Sequence, residues 1–517
     1  MSGSGVKLPG SSTTRRQFFS AALVGMQSKA EPRIEGAILD DSHLLGHRLR
    51  DGARLPRPGR QVKIPLLIVG GGIAGLCAAW RLQKRGFRDF TILEMEKQAG
   101  GNSRWGENEV SAYPWAAHYL PVPNRNATLV REICEEFGLV DEDGHWSERH
   151  LCHSPQERVF LYGRWQEGLE PETGVTREQK LQHRRFEERM SAFAATGEFA
   201  IPMDPAAKPS PLDRMSMHDW LKQEKFDSPY LHWYVNYACR DDYGSLARDT
   251  SAWAGIHYFA AREHEDERGP FVWPEGNGWL VKQLLQRVGK HVQTGAPVVR
   301  VEASGKGPIR VRTPTTEYVA QSVIWAAPTF LLRYLMDNPP PDAGAITYSP
   351  WITANLTFHR LPREQRDTAP AWDNVIYDSA SLGYVVATHQ SLRTHIERTV
   401  WTWYHALSTG EPKANRQLLL DKDWGYWKEF ICNDLAKAHP DIRECVSRID
   451  IMRFAHAMAR PATGWMFHPA RKRLADWGTN LVLANSDLSG FSIFEEAQYR
   501  GVMAADRTLR RLGRAGA

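Results

Sequence analysis

Early in the chain stands Pro65-Leu66-Leu67-Ile68-Val69-Gly70-Gly71-Gly72-Ile73-Ala74-Gly75-Leu76, an apolar run that enters a glycine turn and leaves it in small residues. The run has the composition of a buried parallel strand, and Ala74, Leu76, Ala78, Ala79 and Leu82 continue at helical spacing. The turn itself reads Gly70-x-Gly72-x-x-Gly75. In that context Gly70 allows a tight turn, Gly72 lets a diphosphate approach the backbone, and Gly75 lets helix and strand pack closely. Phosphate oxygens would meet the free amides of the helix N-terminus around Ile73 and Ala74, where the helix dipole favours negative charge.

A second strand, Phe90-Thr91-Ile92-Leu93, ends at Glu94, 19 residues beyond Gly75. A carboxylate at that place accepts hydrogen bonds from ribose hydroxyls, so strand, turn, helix, strand and acid together read as a dinucleotide-binding βαβ unit.

The next residues, Glu94-Met95-Glu96-Lys97-Gln98-Ala99-Gly100-Gly101-Asn102-Ser103, carry a glycine pair shortly after the ribose acid. Further matches follow in order: Ser111 to Leu120, Trp273-Pro274-Glu275-Gly276-Asn277-Gly278-Trp279, Thr294-Gly295-Ala296-Pro297-Val298, Ile324-Trp325-Ala326-Ala327-Pro328, and Leu481-Val482-Leu483-Ala484-Asn485-Ser486-Asp487 with Glu495-Glu496-Ala497. With these segments the chain resembles the flavin-containing amine oxidase superfamily, which also holds protoporphyrinogen oxidases and phytoene desaturase-like enzymes. The resemblance implies FAD as cofactor. It places Gly70, Gly72, Ile73, Ala74, Gly75, Glu94, Met95, Gly100, Gly101, Asn102, Val298, Asp487, Glu496 and Ala497 in its site. The sequence departs from the family pattern at Asn102, where an arginine is usual, and at Glu496 and Arg500, where glycine and serine are usual. The fold it implies is α/β, a Rossmann-like FAD-binding domain with an interleaved mixed-sheet and helical substrate domain.

At 517 residues the chain exceeds the size at which one core keeps growing. It divides into a signal over 1–30, an irregular leader over 31–63 and FAD-binding parts over 64–125, 271–330 and 456–517. A helical cap spans 126–270, and a substrate sheet with helices spans 331–455. Hydrophobic residues at 42% and charged residues at 24% are ordinary for a globular protein, and no apolar stretch reaches the length of a membrane span. Six cysteines lie without CxxC spacing, which points to neither a metal centre nor a disulfide framework. Tryptophan runs such as Trp401-Thr402-Trp403 read as sheet packing.

Thr14-Arg15-Arg16-Gln17-Phe18-Phe19, a short apolar run to Met26 and Ser28-Lys29-Ala30 resemble a twin-arginine export signal, so the expected compartment is the periplasm. Lys7, Arg15, Arg16 and Lys29 are the charges of this segment, and its removal takes the net charge from +5 to +1. A nearly neutral body without a basic stripe argues against nucleic acid as a partner. The expected partners are the export machinery, a small-molecule substrate, and oxygen or a respiratory carrier as electron acceptor.

For chemistry on a flavin the chain must hold an oxidisable C–H bond and exclude water. His118 and Tyr119, in the loop that runs beside the flavin ring in relatives, and His456 are the catalytic candidates. Trp325 and Trp465 are candidates for the substrate face. The strand Trp351 to Phe358 corresponds to one that carries a flavin-linked lysine in many amine oxidases, and Thr353 stands at that position, which favours a dehydrogenase. The run Glu263-His264-Glu265-Asp266-Glu267-Arg268 reads as a solvated face or as an acidic cleft mouth. Asn485-Ser486-Asp487 and the export signal resemble bacterial spermidine dehydrogenase-like relatives, which brings polyamines into the substrate class. The alternatives are a desaturase or dehydrogenase acting on C–C or C–O bonds and a non-catalytic flavin scaffold. An aromatic cage with acidic groups favours amines, and a long apolar tunnel favours desaturation.

Overall fold

The strand that enters the glycine turn is twice as long as its apolar run: it spans Arg60–Val69 in the computed structural model, which describes residues 33–39, 43–170, 172–262, 269–303, 307–365, 368–392, 395–478 and 480–514. Its first half alternates, with Val62 and Ile64 packed against the core and Arg60, Gln61 and Lys63 exposed, and it pairs in parallel with Thr316–Trp325 along its whole length. Phe90–Leu93 flanks it on the other side, followed by Val292–Gln293, while Leu481–Leu483 pairs with the far end of Thr316–Trp325. Five parallel strands from remote parts of the chain thus form one sheet, extended by an antiparallel meander through Ile309–Arg312 and Arg300–Glu302.

The helix Ile73–Lys84 packs on this sheet through Leu76, Cys77, Ala78 and Leu82, all fully buried. The C-terminal helix Phe494–Arg511 crosses it so closely that a Cβ at Gly501 would overlap the carbonyl oxygen of Ala74. A Cβ at Gly75 would likewise overlap the carbonyl oxygen of Gly70, so this glycine serves backbone packing.

The second sheet has eight strands, ordered Glu35–Ile38, Val446–Ala459, Tyr348–Phe358, Val400–Ala406, Gly383–Val386, Asp373–Ile376, Glu157–Leu161 and Arg164–Glu167. Tyr348–Phe358 is buried at every position because the sheet is covered on both faces. Trp403 and Trp427 pack in the core beneath it, as the tryptophan runs suggest.

Three segments differ from the expected layout. The leader 31–63 is not irregular throughout: Glu35–Ile38 adds a parallel edge strand to Val446–Ala459, and His43–Arg50 is helical. Ile34 and Ile38, two-residue periodic across Gly36, dock on the sheet core, a pattern too short to read in a Gly- and Arg-rich stretch. The cap 126–270 is not all helical, since Glu157–Leu161 and Arg164–Glu167 form a hairpin. Its turn, Tyr162-Gly163, has positive φ at both positions, the geometry of a tight hairpin turn usually built from Asn-Gly. Val298 lies between Val292–Gln293 and Arg300–Glu302 and belongs to neither strand.

The cap helices include Arg177–Ala194, Met217–Gln223, Pro229–Tyr243 and Ala252–Ala260. Pro229–Tyr243 is delimited by local chemistry: the Ser228 hydroxyl accepts from the Leu231 amide, proline fills the first turn, and Gly244 ends the helix in the left-handed region. Residues 1–30 and the acidic run 263–268 lie outside the described residues.

Candidate active site and cofactor cradle

Two helix N-termini and the end of the second parallel strand open onto one elongated cavity of about 490 Å³. Gly70, Gly72, Ile73, Ala74, Glu94, Met95, Gly100, Gly101, Asn102, Val298, Asp487 and Ala497 all line it. Neither the Ile73–Lys84 helix nor the Phe494–Arg511 helix carries a side-chain cap at its start. Their first amides are therefore free for an anion, and each terminus carries roughly half a positive charge.

The glycine turn is held from within. Glu94 accepts from the Gly71 amide at 2.7 Å through one carboxylate oxygen and from the Glu96 amide at 2.9 Å through the other. Burial pushes this carboxyl above its ordinary range, and the two amides oppose that shift. The Gly100 amide donates to the Gly71 carbonyl at 2.8 Å, which brings the glycine pair against the turn. A Cβ on Gly72 would meet nothing nearer than Gly101 Cα at 3.8 Å, so this face of the turn looks into open cavity. Asp487 accepts from the Thr329 amide and the Tyr348 hydroxyl, at 3.0 and 2.5 Å.

Some expected residues fall elsewhere. Glu496 does not line the cradle: it turns inward, accepts from the Met203 amide at 2.5 Å and sits one helical turn from Arg500. The two departures from the family pattern on this helix are thus electrostatic partners at i and i+4. Gly75 packs against Gly70, as described above. Asn102 lines the cavity and donates to the Ala457 carbonyl at 2.7 Å, while a buried guanidinium comes from Arg104, two residues later, which also lines it.

A second cavity, with about 130 Å³ open to the centre of a water molecule, abuts the first. Asn102, Ala117, Asn277, Ala457, Ser492 and Phe494 are common to both linings. His118 and Tyr119 lie on this second cavity, beside Thr353 and Tyr404. His118 Nδ1 is 3.2 Å from the Ala116 carbonyl, which can only accept, so the proton sits on Nδ1. Burial lowers the His118 pKa to about 4, and the ring is neutral at physiological pH. Its ring centroid lies 4.5 Å from that of Tyr404 and 5.6 Å from that of Trp372.

The remaining candidates are not on this cavity. His456 faces the cradle, stacked on Phe330 at 4.3 Å, and Trp325, at the end of its strand, also lines the cradle. Trp465 is buried against His468 and lines neither cavity. Their sequence neighbourhoods are near the flavin motifs, but strand direction and helix packing turn the side chains away from the substrate side.

The charged groups of the second cavity come from elsewhere: Asp241 and Asp242 from the last turn of Pro229–Tyr243, Arg262 and Glu495. Arg262 Nη1 bonds Glu495 Oε1 at 2.8 Å. Burial and the neighbouring Asp242 push Asp241 up to about 7. Burial lifts Asp242 to about 6, with Glu495 raising it and Arg262 opposing. The legible signal was two consecutive acids ending a helix, where the dipole disfavours negative charge. Thr353 Oγ1 donates to the Trp115 carbonyl at 2.7 Å, and no lysine lines this cavity among the described residues.

Residues 73–509 match the family model described as flavin containing amine oxidoreductase. The chain belongs to that family. It is 26% identical over 300 residues to the L-amino acid dehydrogenase of Synechocystis sp., covering 55% of this chain and 58% of that protein. It is 23% identical over 291 residues to flavin-containing amine oxidase B of Bos taurus, covering 54% and 53%. The matches thus span little more than half the length of these curated relatives. Among solved structures, wild-type putrescine oxidase bound to putrescine superposes with a TM-score of 0.64 at 16% identity, over 86% of this chain and 98% of that one. Cyclohexylamine oxidase from Brevibacterium oxydans superposes at 0.64 and 14%, over 87% and 99%. These two likenesses speak to the fold. The uncapped helix ends, the open face of Gly72 and the unpartnered Asn277 Oδ1 at the common wall fit the FAD of this family.

Gly72→Val is expected to leave the protein folded, since the cavity accepts the side chain, but to abolish FAD binding because the side chain occupies the diphosphate position. Flavin absorbance measured against circular dichroism checks this, and an unchanged FAD content would remove this turn from the site.

Proposed function

We propose that this member of the flavin-containing amine oxidoreductase family oxidises the carbon next to an amine nitrogen, with polyamines in its substrate class. The carrying observation is the second cavity, where the aromatic rings of Tyr119, Tyr404 and Phe454 stand with Asp241 and Asp242 against the flavin end of the cradle. Aromatic faces and carboxylates are the groups that attract an alkylammonium, and neither serves an apolar polyene. FAD bound in the cradle would supply a two-electron acceptor: the amine loses a hydride equivalent to it and a proton to solvent, and water then converts the resulting imine to a carbonyl compound.

The chain's own residues bind and orient. Asp241 and Asp242 draw the cation in from water. The neutral His118, with Nε2 unprotonated, and the apolar walls do not stabilise an ammonium at the reacting end, so the nitrogen can lose its proton there. Arg262 is neutralised by Glu495, and a second ammonium is therefore not repelled.

Thr353, held to the Trp115 carbonyl, stands where many relatives carry lysine. This supports a dehydrogenase that passes electrons to a carrier in preference to oxygen. Anaerobic mixing with a panel of amines, alcohols and polyenes should bleach the flavin with amines, and air readmitted afterwards should restore the colour more slowly than a quinone does. Bleaching by polyenes alone would sink the amine reading, and equal reoxidation by air the dehydrogenase reading.

The two aspartates set a pH dependence. Their pKa values are raised, so both hold protons and are neutral below about 6, and cation binding strengthens as they ionise. KM for an amine is expected to fall roughly tenfold from about pH 5 to about pH 8, and Asp241→Asn should flatten the upper part of the curve. A KM independent of pH would count against their role.

Export by the twin-arginine route completes the proposal, resting on Arg15, Arg16 and the apolar run behind them. Replacing both arginines by lysine should leave the protein in the cytoplasm. Normal delivery to the periplasm would rule the route out.

A further inference from the structure

The leader ahead of the glycine turn lies outside the residues that match the family, yet the fold builds it in. Its strand Glu35–Ile38 runs parallel to Val446–Ala459 with Ile38 opposite Ile451, and the Leu39 amide donates to the Ile451 carbonyl at 2.7 Å. Gly36, at a φ of +148°, comes so close that a Cβ would overlap the Ile449 carbonyl oxygen, which also accepts from Trp424 Nε1 at 2.9 Å. Only glycine allows that approach. The next residues of the partner strand, Arg453 to Ala457, form a wall of the cofactor cradle. The leader strand is thus anchored right beside the cofactor site.

The leader helix His43–Arg50 meets another wall of the same cradle. It packs on Leu332–Leu335, and Leu331 and Leu335 line the cradle, as His43 itself does. That stretch follows directly on Thr329, whose amide donates to Asp487 at 3.0 Å, so the helix crosses the cradle at its Asp487 end. An eight-residue helix is not stable by itself in water, and none of the residues of this one is buried. Leu49 packs on the core, the rings of His43 and His47 meet edge to face at 5.4 Å, and Leu44 faces solvent at 69% exposure. The helix carries His43, His47, Arg48 and Arg50 and no acid, and of these Arg50 is paired with Asp51.

We infer that the leader is a cofactor strap: Glu35–Ile38 anchors it to the second sheet, and His43–Arg50 closes the cradle over FAD, with the His43 imidazole contacting the part of the cofactor next to Asp487. An imidazole N–H donates to phosphate and hydroxyl oxygens alike, and a basic helix without acids suits a diphosphate. Bound FAD gives the His43 face of the helix a surface to pack on, and the helix gives FAD a further wall. Each therefore stabilises the other, as any ligand stabilises the folded form of the segment that contacts it. The strap acts on cofactor retention and holds for any substrate class.

The test measures the FAD dissociation constant and the rate of FAD release on the full chain, by flavin fluorescence, for His43→Ala, Gly36→Val and Leu44→Ala. His43→Ala should weaken FAD binding about fivefold to tenfold. It should also lower the thermal midpoint of the FAD-loaded protein while leaving that of the apoprotein unchanged, whereas a merely structural histidine would lower both. Gly36→Val, which unseats the strand, should speed FAD release about tenfold. Leu44→Ala, on the solvent side of the same helix, should change neither quantity. Trypsin gives an independent readout: FAD should slow cleavage at Arg48, Arg50 and Arg54. Unchanged FAD affinity and release in His43→Ala, or equal cleavage with and without FAD, would overturn the strap. Should Gly36→Val fail to fold, His43→Ala and the cleavage comparison decide the matter.

Discussion

Close backbone contact around the glycine turn is the constraint on which the rest of the molecule depends. The carbonyl of Gly70 lies where a Cβ of residue 75 would be, and the carbonyl of Ala74 lies where a Cβ of residue 501 would be. Only glycine allows either approach. Because of them, the first parallel strand, its helix and the C-terminal helix can converge, and two uncapped helix N-termini open onto one cavity from segments more than four hundred residues apart. Glu94 then fastens the turn from beneath by accepting from the Gly71 amide. Neither helix start is capped by a side chain, and the FAD diphosphate is a group of matching charge.

The substrate side is organised by the opposite imbalance. Cap helix Pro229–Tyr243 carries Asp241 and Asp242 in its last turn, against its own dipole. Arg262 is already paired with Glu495. The fold thus joins the cradle to a cavity that holds Asp241, Asp242 and Glu495 against one cation, Arg262, and Asn102, Asn277 and Phe494 mark the wall they share. A dianionic cofactor and a cationic substrate would meet at that wall.

Where the sequence misled, the reason was tertiary. Glu495 and Glu496 are adjacent and indistinguishable by composition, but successive helical positions point about a hundred degrees apart, so one reaches the substrate cavity and the other the buried Arg500. Trp325, a candidate for the substrate face, and His456, a catalytic candidate, are next to flavin motifs, and the structure places both on the cradle. The hairpin at Tyr162-Gly163 escaped because its turn lacks the usual Asn-Gly signal, and the leader strand because edge pairing with Val446–Ala459 uses backbone that any sequence provides.

The sequence by itself carried the dinucleotide turn and the acid that supports it, while the glycine pair and the remote Asp487 came with the family resemblance. The turn and Glu94 were legible because they depend on local conformation: a positive φ, a missing Cβ and a carboxylate at a strand end. The placement of His118 and Tyr119 beside the cradle was also legible, through the ordered segments around them. Only the tertiary structure decided which charges line the second cavity. Asp241 and Asp242 come from a cap helix, Arg262 from the chain just after another cap helix and Glu495 from the C-terminal helix, and what brings them to one cavity is packing that no local pattern encodes.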